Sequence, residues 1–216
     1  MRGLVVASRA DLGEEQRAYA HPHAHLKGFA AAVNALRPTA IIGAAGVGGT
    51  FTKAVIGSMA RINRRPIVFA LSNPTSKSEC TAEQAYAWSA GRALFACGSP
   101  FDAVTFKGKT YVPRQSNNSY IFPGVGLGVI ASGARRVTDE MFLAAARALA
   151  RQTSKADLAQ GSLFPPLARI RDVSAHIAAA VAGVAYEQRL TSRRRPPNLL
   201  ARIRAQMYDP RYPRYA

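Results

Sequence analysis

The sequence predicts an α/β fold: a parallel sheet with flanking helices, followed by an all-helical C-terminal portion. Three observations carry this. Short, continuous apolar runs end in glycine or in polar turns. Segments with helical periodicity separate those runs. After Tyr111 the strand signals stop and Ala-rich helical patterns take over. Strands that alternate with helices make parallel sheets, and strands apolar throughout fit a sheet covered on both faces.

Taken in chain order, Leu4-Val5-Val6 is a short candidate strand. Residues 14–20 are polar and helical. Across residues 25–36, Leu26, Phe29, Ala30, Val33 and Leu36 recur at helical spacing, and Pro38 stops the helix because it has no N–H to donate. Thr39-Ala40-Ile41-Ile42-Gly43 is a compact strand closed by glycine. Residues 51–61 form a helix with Phe51, Val55 and Met59 on one stripe. Pro66-Ile67-Val68-Phe69-Ala70-Leu71 is a second strand, ending in the turn Ser72-Asn73-Pro74-Thr75. Residues 81–88 are helical, with Thr81 and Gln84 at capping-box spacing. Arg92-Ala93-Leu94-Phe95-Ala96-Cys97 is a third strand, closed by Gly98-Ser99-Pro100. Residues 119–134 are apolar and glycine-rich and read as helical in spite of Pro123. Residues 138–151 are a strong Ala-rich helix with Thr138 as N-cap. Residues 172–190 are another, with Asp172 at the positive end of the helix dipole.

The chain has 216 residues, 48% hydrophobic and 19% charged, which is a globular composition and long enough for a substantial core. Two cysteines, Cys80 and Cys97, exclude a disulfide scaffold, and no Cys/His spacing suits zinc. His21, His23 and His25 alternate, but without supporting ligands they read as a solvated loop or helix start. No run of about eighteen apolar residues marks a membrane helix, and the apolar start is too short for a signal peptide; the expected location is cytoplasmic. With 29 Lys plus Arg against 12 Asp plus Glu, the formal charge is +17, which raises the question of nucleic acid. The basic residues are scattered, however, apart from Arg193-Arg194-Arg195 and the arginines, prolines and tyrosines after them. With no helix-turn-helix, zinc-finger or RNP pattern present, residues 193–216 read as a solvated basic tail.

In parallel sheets ligands sit outside the carboxyl ends of the strands. Those ends are residues 43–50, 72–75 and 98–102. Gly43-Ala44-Ala45-Gly46-Val47-Gly48-Gly49 joins a strand to a helix. Small residues there let a ligand approach the backbone near a helix N-terminus, although the glycines match neither GxGxxG nor a GKS/GKT phosphate loop; a tight turn is the competing reading. Asn73, held extended by Pro74, offers one acceptor and two donors without charge. It either orients a carboxylate or carboxamide or closes an Asx turn. Asn117 and Asn118 form a second polar cluster, before Tyr120-Ile121-Phe122-Pro123-Gly124. No Ser-His-Asp set and no paired acids appear at a strand end, so no catalytic residue and no metal ligand is assigned.

The runs Phe69-Ala70-Leu71-Ser72-Asn73-Pro74-Thr75-Ser76-Lys77-Ser78-Glu79-Cys80-Thr81-Ala82-Glu83, Leu94-Phe95-Ala96-Cys97-Gly98-Ser99-Pro100-Phe101, Asn117-Asn118-Ser119-Tyr120-Ile121-Phe122-Pro123-Gly124 and Leu163-Phe164-Pro165-Pro166-Leu167, with Ile170-Arg171-Asp172-Val173-Ser174 after them, resemble the malic enzyme family. Such enzymes oxidise malate with NAD or NADP and decarboxylate it to pyruvate, with Mg or Mn as Lewis acid. The resemblance implies a partial Rossmann-like sheet within a truncated NAD(P)-binding domain at 1–192; the basic tail at 193–216 is not diagnostic of the family. It places the family's Tyr and Lys acid/base pair, its Glu-Asp-Asp metal ligands and its first glycine fingerprint upstream of the matched region. On that basis the chain alone is expected to be inactive, and a missing N-terminal half and an oligomer are expected partners. Residue by residue, the resemblance gives Asn73 to malate and the nicotinamide ribose, and Asn117 or, by preference, Asn118 to a substrate carboxylate. Gly43, Ala44, Ala45 and Gly46 would line the dinucleotide cleft. Tyr120 and Lys77 occupy other motifs and are given no role. The competing class is a non-catalytic basic module for nucleotides or nucleic acid.

Overall fold

The structure is a computed structural model that describes residues 3–209. The chain divides into two compact units, Met1–Gln115 and Ser116–Ala216, each described by itself.

The first unit begins with the single turn α1 (Glu14–Arg17) and the helix α2 (Phe29–Leu36). It continues through β1 (Ala40–Gly43), α3 (Lys53–Ile62), β2 (Ile67–Ala70), α4 (Ala82–Trp88) and β3 (Leu94–Cys97). A hairpin of β4 (Val104–Phe106) and β5 (Lys109–Tyr111) and the short strand β6 (Arg114–Gln115) complete it. The sheet runs β1-β2-β3-β6, every pair parallel, with Ile41 beside Val68 and Val68 beside Phe95. Phe51, Val55 and Met59 are all buried, joining Val68, Phe95 and Tyr86 in one core. The stripe inferred for residues 51–61 therefore faces the sheet, although the helix starts only at Lys53, after its N-cap Thr52, whose side chain accepts from the Val55 N–H. The capping box at α4 forms: Thr81 and Gln84 exchange hydrogen bonds of 3.1 and 3.0 Å.

Three expectations for this unit are corrected. Leu4-Val5-Val6 is not a strand; Val6 makes one isolated parallel bridge to His21. The sheet is not covered throughout, since β1 pairs only with β2 and Ile42 is 65% exposed. An apolar hollow of about 590 Å³ lies beside it, lined by Leu4, Phe29, Val33, Leu36, Ile41 and Ile42 among others. Strand structure also continues past Tyr111, where the strand signals stop: β6 pairs with β3 in parallel, and before it stands a hairpin that the sequence reading leaves unassigned. The β4–β5 turn places Lys107 and Gly108 at positive φ, as a two-residue hairpin turn requires, and the Tyr111 hydroxyl donates to the Gly91 carbonyl at 2.9 Å. His21, His23 and His25 are exposed and outside any helix.

The second unit is all-helical, as expected. It contains α5 (Phe122–Ser132), α6 (Asp139–Ala150), α7 (Lys155–Ala159), α8 (Ile170–Glu187) and α9 (Leu199–Gln206). Pro123 sits in the first turn of α5, where its missing N–H costs nothing. Met141, Ala145 and Leu149 of α6 meet Val173, Ile177 and Val181 of α8 at helical spacing. Thr138 does stand at the N-cap of α6, though its side chain makes no capping bond there. The reading of 193–216 as a solvated tail fails for α9. Asn198 caps it by accepting the Ala201 N–H at 3.0 Å, and Ile203 is fully buried against Ala175 and Ala178. Pro210, Pro213, Tyr212, Tyr215, Arg211 and Arg214 lie outside the described residues. Among the described residues no helix is long and apolar enough to cross a membrane.

Candidate functional site

The carboxyl ends of β1, β2 and β3 bring three loops together. β1 and β2 are in register, and the Leu71 N–H donates to the Gly43 carbonyl at 2.9 Å where both strands end. Residues 44–46 then turn outward and are exposed. Gly46 takes a positive φ of 66°, and a Cβ there would meet nothing within 4 Å. The backbone at Gly46 is thus open to an approaching ligand.

After β2 the chain enters Ser72 and Asn73, joined to Pro74 by a cis peptide bond. Asn73 is exposed. Its Oδ1 accepts from the Ser99 hydroxyl at 2.7 Å and its Nδ2 donates to the Leu71 carbonyl at 3.4 Å. It does not cap the following helical turn, which removes the Asx-cap reading. Gly98 permits this closeness: a Cβ there would stand 2.6 Å from the Leu71 carbonyl carbon and 3.0 Å from Asn73 Oδ1. The loops after β2 and β3 are therefore in direct contact, with Asn73 held between them.

The sequence reading missed the residue beneath these loops. Glu79 is 1% exposed. One of its oxygens accepts from the Ser72 hydroxyl and the other from the Ser72 N–H at 3.3 Å. The Ser72 hydroxyl oxygen in turn accepts the Gly46 N–H at 2.9 Å. Next to Glu79, burial, reinforced by Glu79 and Cys97, pushes the Cys80 thiol up to about 12, and burial pushes Cys97 up to about 11. Both thiols are protonated at neutral pH and are not nucleophiles.

Asn117 and Asn118 belong to the second unit. Both are exposed, and Asn117 Oδ1 accepts the Ser119 N–H at 2.9 Å at the head of the turn Asn118–Tyr120. The Tyr120 hydroxyl donates to the Pro165 carbonyl at 2.6 Å and its ring stacks on Phe164, a packing role consistent with leaving it out of the chemistry. Among the described residues no three His, Cys, Asp or Glu side chains gather as a cation site. Those residues do not fit Mg or Mn.

A parallel sheet with helices around it and exposed loops at its carboxyl ends places the first unit in the α/β class whose ligands bind outside the strand ends. A family model for the NAD binding domain of malic enzyme matches residues 1–186. The chain belongs to the malic enzyme family. It is 54% identical over 216 residues to the chloroplastic NADP-dependent malic enzyme of Zea mays, covering 99% of this chain and 34% of that protein. It is 52% identical over 216 residues to the NADP-dependent malic enzyme of Phaseolus vulgaris, covering 99% of this chain and 37% of that one. Among solved structures, Entamoeba histolytica malic enzyme superposes with a TM-score of 0.71 over 94% of this chain and 39% of that chain, at 24% identity. Malic enzyme from Pyrococcus horikoshii gives 0.59 over 77% of this chain and 35% of that chain, at 26% identity. The chain spans about a third of the length of the curated relatives it matches.

Proposed function

We propose that this chain supplies the cofactor-side portion of an NADP- or NAD-dependent malic enzyme, acting with polypeptide that carries the metal ligands and the acid/base pair. The observation that carries the reading is the match to the NAD binding domain, combined with two loops at strand ends that leave open backbone at Gly46 and a neutral amide at Asn73. A dinucleotide held at these loops would supply the hydride acceptor for malate oxidation. Gly43, Ala44, Ala45 and Gly46 line its cleft with small residues. Asn73 orients malate and the nicotinamide ribose by hydrogen bonds and, being neutral, exchanges no proton. Asn118, or Asn117, provides a further donor to a substrate carboxylate. The reading takes the working enzyme as an oligomer, and its location as cytoplasmic, against the chloroplastic Zea mays relative.

The test is complementation. Purified chain with malate, NADP and Mg or Mn is expected to give no turnover, because general acid/base catalysis alone is worth about 10²–10⁴-fold. Co-expression with the part of the Zea mays enzyme that this chain does not match is expected to give malate-dependent NADP reduction. Failure of any complex to form or turn over refutes the proposal.

A further inference from the structure

We propose that Glu79 is a positioning residue: through Ser72 it locks the glycine loop after β1 and the Asn73 turn after β2 into one arrangement. This rests on the reading of those loops as cofactor and substrate contacts. Four observations converge on it. Glu79 is 1% exposed, yet both its oxygens accept hydrogen bonds from one residue, Ser72. The Ser72 hydroxyl donates a hydrogen bond to Glu79 and its oxygen accepts the Gly46 N–H at 2.9 Å, so the exposed glycine is tied to the buried carboxyl group in two steps. The backbone around Glu79 holds the far side of the same loop: its own carbonyl accepts the Phe51 N–H at 3.0 Å, and the Ser78 carbonyl accepts the Gly49 N–H at 3.1 Å. Finally, the side chain fits only because residue 43 is glycine. A Cβ there would lie 2.7 Å from Glu79 Oε1 and closer still to its Cγ and Cδ.

Burying a carboxyl group costs free energy unless every acceptor is satisfied. Here the satisfied acceptors hold two loops that the sheet alone leaves open beyond Gly43 and Ala70. The chemistry of the lock is specific. Gln keeps the reach but turns one acceptor into a donor, which then faces either the Ser72 N–H or its hydroxyl. Ala at position 72 removes the hydroxyl and with it the acceptor for Gly46.

The experiment compares amide hydrogen exchange, by NMR, in the full chain and in Glu79→Gln and Ser72→Ala, with NADP titration of each. In Glu79→Gln, exchange at Gly46 and Ser72 is expected to accelerate roughly tenfold or more, while Val68 and Ala85 in the core keep their rates. Ser72→Ala is expected to accelerate Gly46 likewise, and it decides the question if Glu79→Gln does not fold. Unchanged exchange at Gly46, or acceleration shared equally by the core amides, overturns the proposal. Where the parent chain takes up NADP, its Kd is expected to rise roughly tenfold in Glu79→Gln; equal affinity also overturns it. If the parent chain takes up no NADP, the reading of the loops fails, and the exchange result still decides whether Glu79 is the lock.

Discussion

Replacing Gly98 by Ala adds one methyl group where β3 ends, and the structure shows what it meets. The added Cβ would overlap the Leu71 carbonyl, 2.6 Å from its carbon, and stand 3.0 Å from Asn73 Oδ1. The first neighbour is backbone, so no rotamer change relieves the overlap; β2 and β3 must separate where the Gly98 N–H donates to the Ala70 carbonyl at 2.9 Å. Overpacking a tight site costs about 1–3 kcal/mol. With backbone on one side and the Ser99–Asn73 bond at risk on the other, the expected loss is at the upper end, about 3 kcal/mol. At roughly 2–4 °C per kcal/mol, that is a fall in Tm of roughly 6–12 °C. Gly57→Ala is the matched control. Gly57 lies inside α3, where a Cβ would find only Arg61 Nη1 at 3.7 Å, and Ala stabilises a helix interior by about 1 kcal/mol over Gly. Denaturant and thermal unfolding of both variants decide the matter. A Gly98→Ala chain within about 0.5 kcal/mol of the parent would refute the packing of these loops.

The other predictions concern the site, the thiols and α9. In the complemented enzyme, Asn73→Ala is expected to lower kcat/KM for malate by roughly 5- to 150-fold, the equivalent of about 1–3 kcal/mol for an unpaired polar contact; loss of the Ser99–Asn73 hydrogen bond should lower Tm by only roughly 2–4 °C, the equivalent of about 1 kcal/mol, and parent kinetics would reduce it to a turn residue. Cys80 and Cys97 keep their protons in the fold up to about 12 and about 11, while unfolded thiols lose theirs from 9.0. Stability should therefore fall above pH 9, by about 1.4 kcal/mol per pH unit for each thiol, and the slope of the denaturation midpoint against pH should shrink in Cys80→Ala. Burial pushes the Asp172 carboxyl up, but hydrogen bonds from Arg204 and Arg169 and the nearby His176 hold it below 3.8 overall. A lowered carboxyl stabilises above that pH and loses its effect below it, so the protection factors of the α9 amides, which correct for the intrinsic pH dependence of exchange, should fall as pH drops under about 3.8, and Asp172→Asn should lower them at neutral pH; equal protection would show that the Arg204 contact does not hold the helix.

The sequence was most readable where one physical signal acted alone. β2, α4 and β3 were found within two residues because continuous apolar runs and a capping box mark them. Gly43, Gly46 and Asn73 are singled out by sequence because ligands sit at the carboxyl ends of parallel strands, and the structure places them where β1 and β2 end. Glu79 was missed because acids are rarely buried, and only contact with Ser72 and the space over Gly43 reveals why this one is. The β4–β5 hairpin was missed because three-residue strands carry little periodicity and Lys107-Gly108 is not the usual Asn-Gly turn. α9 was hidden behind Pro196-Pro197 and its arginines. Its signal was Asn198 before Leu199, with Ile203 four residues on, a pattern that matters only once α8 offers a surface to bury it. Leu4-Val5-Val6 shows the reverse: apolar residues with no partner strand among the described residues make a single bridge.

The most direct test of the account is an NADP titration of the full, isotopically labelled chain followed by amide chemical shifts. The account predicts that the shifts concentrate at Gly43, Ala44, Ala45, Gly46, Ser72 and Asn73. Shifts confined to the arginines at 193–195, with those six amides unmoved at saturating NADP, would contradict it.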